Sequence, residues 1–337
     1  MRAYEIGTQT GVDSLRLVER DTPEPGKGEV LVKVHAACLN YRDLLSLRGQ
    51  YGPAKPEDRI MASDGVGSVA KLGEGVSEFT DGQRVIAPHF IAWTDGPFSP
   101  AYFAHDLGIS RHGWLADYIL LPASALIPVP DSMPDDVAAT LPVAGNTSWH
   151  CIVTFGGLTK DSLVLAPGTG GVSIMTLQLA KAMGAKVAIT SSSDEKLAKC
   201  SAMGADYVVN YKTHSDWATQ LLEQTGGRGA DIVVDTVGLA SIEALIEATV
   251  HNGRIAMIGN LAGSFETMPN MHGILGKNLT LKGITSGSRA MLGEVVDLVK
   301  QENIQPMVDS KFAFEDAPDA FAHLDAGNHM GKVMITL

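Results

Sequence analysis

Cysteine is scarce: Cys38, Cys151 and Cys200 are the only ones in 337 residues, and no two lie close together. That spacing excludes a disulfide framework and a CxxC metal site, and it suits a reducing compartment, so a cytoplasmic location is expected. Basic clusters are missing too. Lys and Arg number 26 against 38 acidic residues, a formal charge of -12, so a phosphate backbone finds no surface to bind and no nucleic-acid partner is expected. No apolar run reaches the ~20 residues a membrane helix needs, and the start MRAYEIGTQTG lacks the basic segment and apolar core of a secretion signal. The sequon Asn146-Thr147-Ser148 is therefore read as chance. With 45% hydrophobic and 19% charged residues, the chain is long enough for two domains and suited to small-molecule substrates.

Residues 162–184, SLVLAPGTGGVSIMTLQLAKAMG, carry the strongest pattern. A short apolar run over 162–166 is stopped by Pro167, and Val172, Met175, Leu179 and Ala182 then recur at helical spacing. Between them lies the turn Gly168-Thr169-Gly170-Gly171, where missing Cβ atoms let backbone N–H groups and a helix N-terminus approach a pyrophosphate. Ser173 replaces the third glycine of GxGxxG. Strands are then predicted over 186–190, 207–210, 231–235, 254–258 and 279–283, with helical stretches between most of them. That alternation is a doubly wound parallel sheet, the Rossmann dinucleotide fold, and the class is α/β.

Residues 1–124 read differently, as short β-type runs over 29–36, 67–72, 84–88 and 118–121, punctuated by Gly and Pro. The Pro- and aromatic-rich stretch over 88–113 is too irregular to assign from sequence; long loops of this kind are often lids or interfaces. A helix is expected over 131–140, capped by Ser132 or Asp135, and a second helical run over 147–155. The tail from Glu294 carries a helix, a Phe-rich strand over 311–314, another helix and a last strand over 331–337; with the six-stranded sheet complete, it is expected to return to the first domain.

Several stretches together resemble the medium-chain dehydrogenase/reductase superfamily and, within it, the zinc-free quinone oxidoreductases. They are Asn40-Tyr41-Arg42-Asp43, Arg48-Gly49-Gln50-Tyr51-Gly52, Ser63-Asp64-Gly65-Val66-Gly67, Gly113-Trp114-Leu115-Ala116-Asp117-Tyr118, Leu141-Pro142, the glycine turn, Asp235-Thr236-Val237-Gly238 and Gly331-Lys332-Val333. The resemblance implies a GroES-like β-rich catalytic domain at 1–124, an inserted Rossmann domain at 125–286, a return to the catalytic domain at 287–337, a cleft between the two and a homodimer. The zinc dehydrogenases of this superfamily hold catalytic zinc with a Cys, a His and a third Cys or acidic residue. Those positions resemble Asn40, Ser63 and the neighbourhood of Val143 here, and the cysteines of a structural zinc lobe are absent. No four-ligand tetrahedron can be assembled, so no metal is expected. Cys38, two residues from Asn40, could join Asp64 in a makeshift site and otherwise reads as a small core residue.

The second strand of the nucleotide fold runs into Ser191-Ser192-Ser193, with no acid at its tip to hold a ribose 2′-OH. Three hydroxyls and Lys196 can receive a 2′-phosphate, so NADPH is the expected cofactor; capping of the following helix is the alternative role of the serines. The resemblance adds Thr147, Val172, Tyr211, Gly259, Asn260, Leu261, Thr285 and Ser286 as cofactor-lining residues, and Asn40 and Tyr51 as substrate-pocket residues. With no Lewis acid, hydrogen-bond donors must stabilise the oxygen that becomes negative, and Asn40 and Tyr51 are the catalytic candidates. Asp43 is expected to pair with Arg42 or Arg48. Weak donors suit an acceptor that takes hydride readily, a quinone or an α,β-unsaturated carbonyl. The alternatives are an alcohol dehydrogenase and an NADPH-binding protein with a structural or regulatory role.

Overall fold

The structure is a computed structural model describing residues 1–259 and 269–337, so Asn260 and Leu261 lie outside the described residues. Its backbone divides into Met1–Asn146 with Gly287–Leu337, and Thr147–Ser286.

The first unit begins with β1 (Arg2–Glu5) and β2 (Arg16–Glu19), an antiparallel pair. Next come β3 (Glu29–Leu39), α1 (Tyr41–Leu47), β4 (Asp64–Leu72), β5 (Arg84–Ile86), β6 (Tyr118–Pro122) and β7 (Ile127–Pro128). The short helix α2 (Asp135–Ala138) precedes a helical run over 141–155 whose middle turn is α3 (Asn146–Trp149). Val137 on α2 and, within the run, Leu141 and Ile152 are buried.

The second unit holds β8 (Leu163–Pro167), α4 (Gly171–Ala182), β9 (Lys186–Ser191), α5 (Asp194–Ala202), β10 (Tyr207–Asn210), α6 (Trp217–Gln224) and β11 (Ala230–Asp235). It continues with α7 (Ile242–Ala248), β12 (Thr249–Met257), α8 (His272–Gly276) and β13 (Thr280–Gly283). The chain then re-enters the first unit as α9 (Arg289–Gln301), β14 (Val308–Ala313), α10 (Ala317–Asp325) and β15 (Lys332–Thr336).

Strand β3 organises the first unit. Its sequence EVLVKVHAACL is buried at eight of eleven positions, and one edge carries β4 while the other carries β6 along its first half and β15 along its last four residues. The tail thus returns to the first unit, as expected, and brings the start of β15 beside the end of β3.

In the second unit the sheet order is β10-β9-β8-β11-β12-β13, parallel throughout. This is the doubly wound order that reverses between β8 and β11, where such sheets bind ligands at their carboxyl ends. Helix α4 buries more than the anticipated stripe. Ile174, Met175, Leu177 and Leu179 are all buried, whereas Val172 and Ala182 are half-buried.

Two local expectations change. The division falls after Asn146 rather than after residue 124, since β7 pairs with β5 and Arg84 donates to the carbonyls of Pro130, Asp131 and Met133. Those same bonds hold 130–133 out of a helix. Helix α2 therefore starts only at Asp135, behind Pro134, and neither Ser132 nor Asp135 caps it. Asp135 instead accepts from Arg84 and pairs with His35. The irregular stretch over 88–113 packs around its own rings, with Phe98 edge-on to Phe90, Trp93 and Phe103 and Trp93 stacked on Tyr102.

Candidate functional site

At the carboxyl end of β8 the backbone turns at Gly168, where φ is +82°, a conformation costly for a residue with a Cβ. Gly168 N–H donates to Thr190 O at 2.8 Å, tying the turn to β9. Thr169 is buried, Gly170 precedes the first turn of α4, and Gly171 is its first residue. A Cβ placed on Gly170 meets no protein atom within 4 Å, so the space in front of the helix N-terminus is open to an anion. Ser173 is not a defect in the pattern. Its hydroxyl donates to Pro167 O at 2.6 Å, and Thr236 Oγ1 donates to the same carbonyl at 2.9 Å, which joins the ends of β8, α4 and β11.

At the tip of β9, Ser191 is buried and its carbonyl accepts from Tyr211 N–H at 3.1 Å, so the two residues are brought together. Ser192 follows, half-buried. Ser193 caps α5, accepting from Lys196 N–H at 3.3 Å; the capping role therefore belongs to this serine, while Ser191 Oγ accepts from Ser193 N–H at 3.3 Å. Asp194, the nearest acid, accepts from Asn210 Nδ2 at 2.7 Å. Val172 O accepts from Ser148 Oγ, and Thr147 beside it is buried. Gly259 lies so close to Thr236 that a Cβ would stand 1.9 Å from its carbonyl oxygen. Thr285 is exposed, while Ser286 is buried at φ +94° with its hydroxyl unpartnered among the described residues. Its carbonyl accepts from His150 Nδ1 at 2.5 Å, and burial holds that imidazole below its ordinary pKa. Strained backbone of this kind persists where its surroundings fix it.

In the first unit, three strand ends meet. Asn40 follows β3, Asp64 opens β4 opposite Cys38, and Lys332 opens β15. Lys332 is 3% exposed and Asp64 fully buried. The ammonium donates to Asp64 Oδ2 at 2.9 Å, to Asn40 Oδ1 at 2.5 Å and to Leu39 O at 3.0 Å. Asn40 Nδ2 donates to the same Asp64 Oδ2 at 2.9 Å.

Asp43 pairs with neither Arg42 nor Arg48, contrary to expectation. It is buried in α1, accepting from Ser63 Oγ at 2.7 Å and from Asn40 N–H at 2.8 Å. Burial pushes its carboxyl up, against the opposing pull of Arg42 and of those two donors. Arg48 goes to Asp325, and Arg42 goes to Asp106 at 2.5 Å. His89 completes this second cluster, with Nδ1 2.7 Å from Asp106 Oδ1 and also against Arg42 Nη1, which lies 3.2 Å from Nε2. Tyr51 is half-buried, its ring 5.1 Å from the Arg42 guanidinium and 5.6 Å from the Lys55 ammonium, which also donates to the Tyr51 carbonyl.

These residues do not fit zinc. The positions that resemble metal ligands hold an amide, a hydroxyl already committed to Asp43, and the buried Val143. An ammonium sits within 2.9 Å of the Asn40 and Asp64 oxygens, and no group of three His, Cys, Asp or Glu suited to a metal occurs among the described residues. Zinc requires about four deprotonated ligands and would be repelled by that cation. Cys38 is fully buried, its thiol pushed up to about 12 by burial despite Lys332 nearby.

Lys332 was visible in the sequence only as part of Gly331-Lys332-Val333. The signal available was a lysine entering an otherwise apolar strand, KVMIT, with four consecutive buried residues. His89 and Asp106 gave no such signal.

Residues 26–131 match the alcohol dehydrogenase GroES-like domain, and 171–301 match the zinc-binding dehydrogenase family. A zinc-type alcohol dehydrogenase-like protein of Schizosaccharomyces pombe is 37% identical, over 97% of this chain and 96% of its own. An acryloyl-coenzyme A reductase of Sulfurisphaera tokodaii is 31% identical over 95% and 96%. The crystal structure of a putative alcohol dehydrogenase from Sinorhizobium meliloti superposes with a TM-score of 0.92 at 36% identity, covering 100% of this chain and 99% of the other. The chain belongs to the medium-chain dehydrogenase/reductase superfamily, with its GroES-like and Rossmann-type domains, and is an oxidoreductase using a nicotinamide cofactor.

Proposed function

We propose that this chain is a metal-independent, NADPH-dependent reductase of quinones or α,β-unsaturated carbonyl compounds. The observation that carries the reading is the Lys332 ammonium lodged between Asp64 and Asn40, the latter at a position that resembles a metal ligand of the zinc dehydrogenases. Bound reduced nicotinamide supplies the hydride. The chain's own task is to orient the acceptor and stabilise the oxygen on which charge builds, and Asn40 Nδ2 and the Tyr51 hydroxyl are the donors assigned to it. Neutral donors stabilise an oxyanion less than a metal does, so an acceptor already activated by conjugation is the matching substrate. Acryloyl-coenzyme A, named in the relative from Sulfurisphaera, is such a conjugated carbonyl compound.

NADPH is favoured over NADH because the β9 tip offers Ser191 and Ser192 with Lys196 close in sequence, while the neighbouring Asp194 carboxylate is engaged by Asn210. The glycine turn over 168–171 with Val172 holds the pyrophosphate; Thr147, Tyr211, Gly259, Thr285 and Ser286 line the remainder. A homodimer joined along the β13 edge is part of this reading, supported by Leu275 on α8, which is 89% exposed. A cytoplasmic location accords with three buried free cysteines.

The relatives named alcohol dehydrogenases favour a second reading, reversible oxidation of alcohols. Anaerobic NADPH consumption against quinones, enones, enals, saturated ketones and aldehydes separates the two. Turnover confined to quinones and conjugated carbonyls is the expected result. Faster turnover of saturated aldehydes, with alcohol oxidation in reverse, overturns the proposal.

A further inference from the structure

An amide side chain has two near-identical ends, and catalysis by Asn40 requires that only one of them face the substrate. A carboxamide oxygen accepts and its nitrogen donates two hydrogens. Lys332 carries donors only, so it can bind the Asn40 oxygen and not the nitrogen; Asp64 accepts only, so it can bind the nitrogen and not the oxygen. The observed contacts, Nζ to Oδ1 at 2.5 Å and Nδ2 to Asp64 Oδ2 at 2.9 Å, meet both conditions. Rotating the amide by half a turn would set an N–H against an ammonium and an oxygen against a carboxylate. One Nδ2 hydrogen is used by Asp64, and the second has no partner among the described residues.

We propose that Lys332 is a positioning residue for hydride transfer: its buried ammonium fixes Asn40 so that the second Nδ2–H is presented to the developing oxyanion. This rests on the reading of Asn40 as the oxygen-stabilising donor. A positive charge close behind the amide also polarises its remaining N–H, strengthening it as a donor. The same ammonium accounts for the burial of Asp64, whose Oδ1 has no hydrogen-bond partner among the described residues. A buried carboxylate of that kind is tolerated only beside a cation. The fold makes the arrangement possible because β15 pairs with the end of β3 and β4 pairs on its other side.

Replacing Lys332 alone leaves Asp64 buried and unpaired, so Lys332→Met can fail through misfolding. The informative variant is the charge-neutral pair Lys332→Met with Asp64→Asn, compared with Asn40→Ala and with the triple variant, each checked for thermal unfolding and NADPH affinity. Asn40→Ala is expected to lower kcat roughly 100-fold, as loss of an oxyanion donor does. The pair is expected to lower kcat about tenfold or more with NADPH affinity unchanged, and the triple variant to be no slower than Asn40→Ala, the non-additivity of residues acting through one group. A folded pair with wild-type kcat overturns the proposal and leaves the donor reading standing. Multiplicative losses in the triple variant overturn it as well. An Asn40→Ala enzyme with wild-type kcat removes the donor reading beneath it.

Discussion

The ammonium of Lys332 lies 2.9 Å from Asp64 Oδ2, joining residues 268 positions apart. A cation is therefore present beside Asn40 without any metal, and it is supplied by the last strand of the chain. This contact ties the return of the tail to the first unit: β15 pairs with β3, and the residue that opens β15 carries the charge.

The glycine turn gives a test of cofactor binding that is independent of folding. Because an added Cβ at Gly170 meets no protein atom within 4 Å, Gly170→Ala should fold with unchanged stability. Its methyl group stands in the space an anion would fill, and NADPH affinity should fall roughly tenfold or more, the equivalent of one charge-assisted contact. Fluorescence titration with NADPH and a thermal melt on the same sample check both halves.

Cofactor preference turns on Lys196. A charge-assisted hydrogen bond is worth ~1.5 to 3 kcal/mol, or roughly tenfold or more in affinity. Lys196→Ala should raise KM for NADPH by that factor and leave KM for NADH nearly unchanged. Equal changes for both cofactors would assign Lys196 to the helix surface.

His89 sets an acid-side dependence of stability. Burial, reinforced by Arg42, holds its imidazole below the ordinary value of about 6.5, against the upward pull of Asp106. The folded chain thus binds this proton less readily than the unfolded chain. Its stabilising contribution is complete above pH ~6.5 and is lost as pH falls from there through the lowered folded value. Urea midpoints measured at falling pH should decline in this window, and His89→Asn should flatten the decline. Asp106, held below the carboxylate range by Arg42 and His89 in spite of burial, adds its own loss once pH falls below the ordinary carboxylate value.

The thiols should be silent. All three cysteines are buried and unpaired by disulfides, and burial pushes Cys38 up to about 12 and Cys200 up to about 11. At pH 8 almost no thiolate is present, and the thiolate is the nucleophile. A chromogenic thiol reagent should find none of the three in the native protein within minutes and all three after denaturation. Rapid labelling of Cys38 would show that the Asn40 neighbourhood is open to solvent.

Periodicity and turn chemistry made the nucleotide unit legible. Its six strands alternate with helices and most are short runs carrying apolar residues, so the expected and observed strands overlap at all six positions. The first unit was read less completely. Strands β1 and β2 carry weak apolar alternation in RAYE and RLVE, and β7 is only two residues long. The helix expected over 131–140 was shortened by Arg84, a tertiary contact with no local trace. Asn40 could be singled out because a resemblance pointed to it. Its partners at Asp64 and Lys332 could not be assigned from spacing, since only the pairing of β4 and β15 with β3 brings them within reach. The Arg42, His89 and Asp106 cluster was hidden for the same reason, and Asp43 was misassigned to its sequence neighbours.

The central claim is that an amide held by Lys332, and not a metal, stabilises the oxygen during hydride transfer. Metal content per chain, determined on a sample whose NADPH-dependent reduction of a conjugated carbonyl is measured before and after exhaustive chelation, tests it most directly. The account predicts no stoichiometric metal and an unchanged rate; about one zinc per chain, whose removal abolishes turnover and whose return restores it, would contradict it.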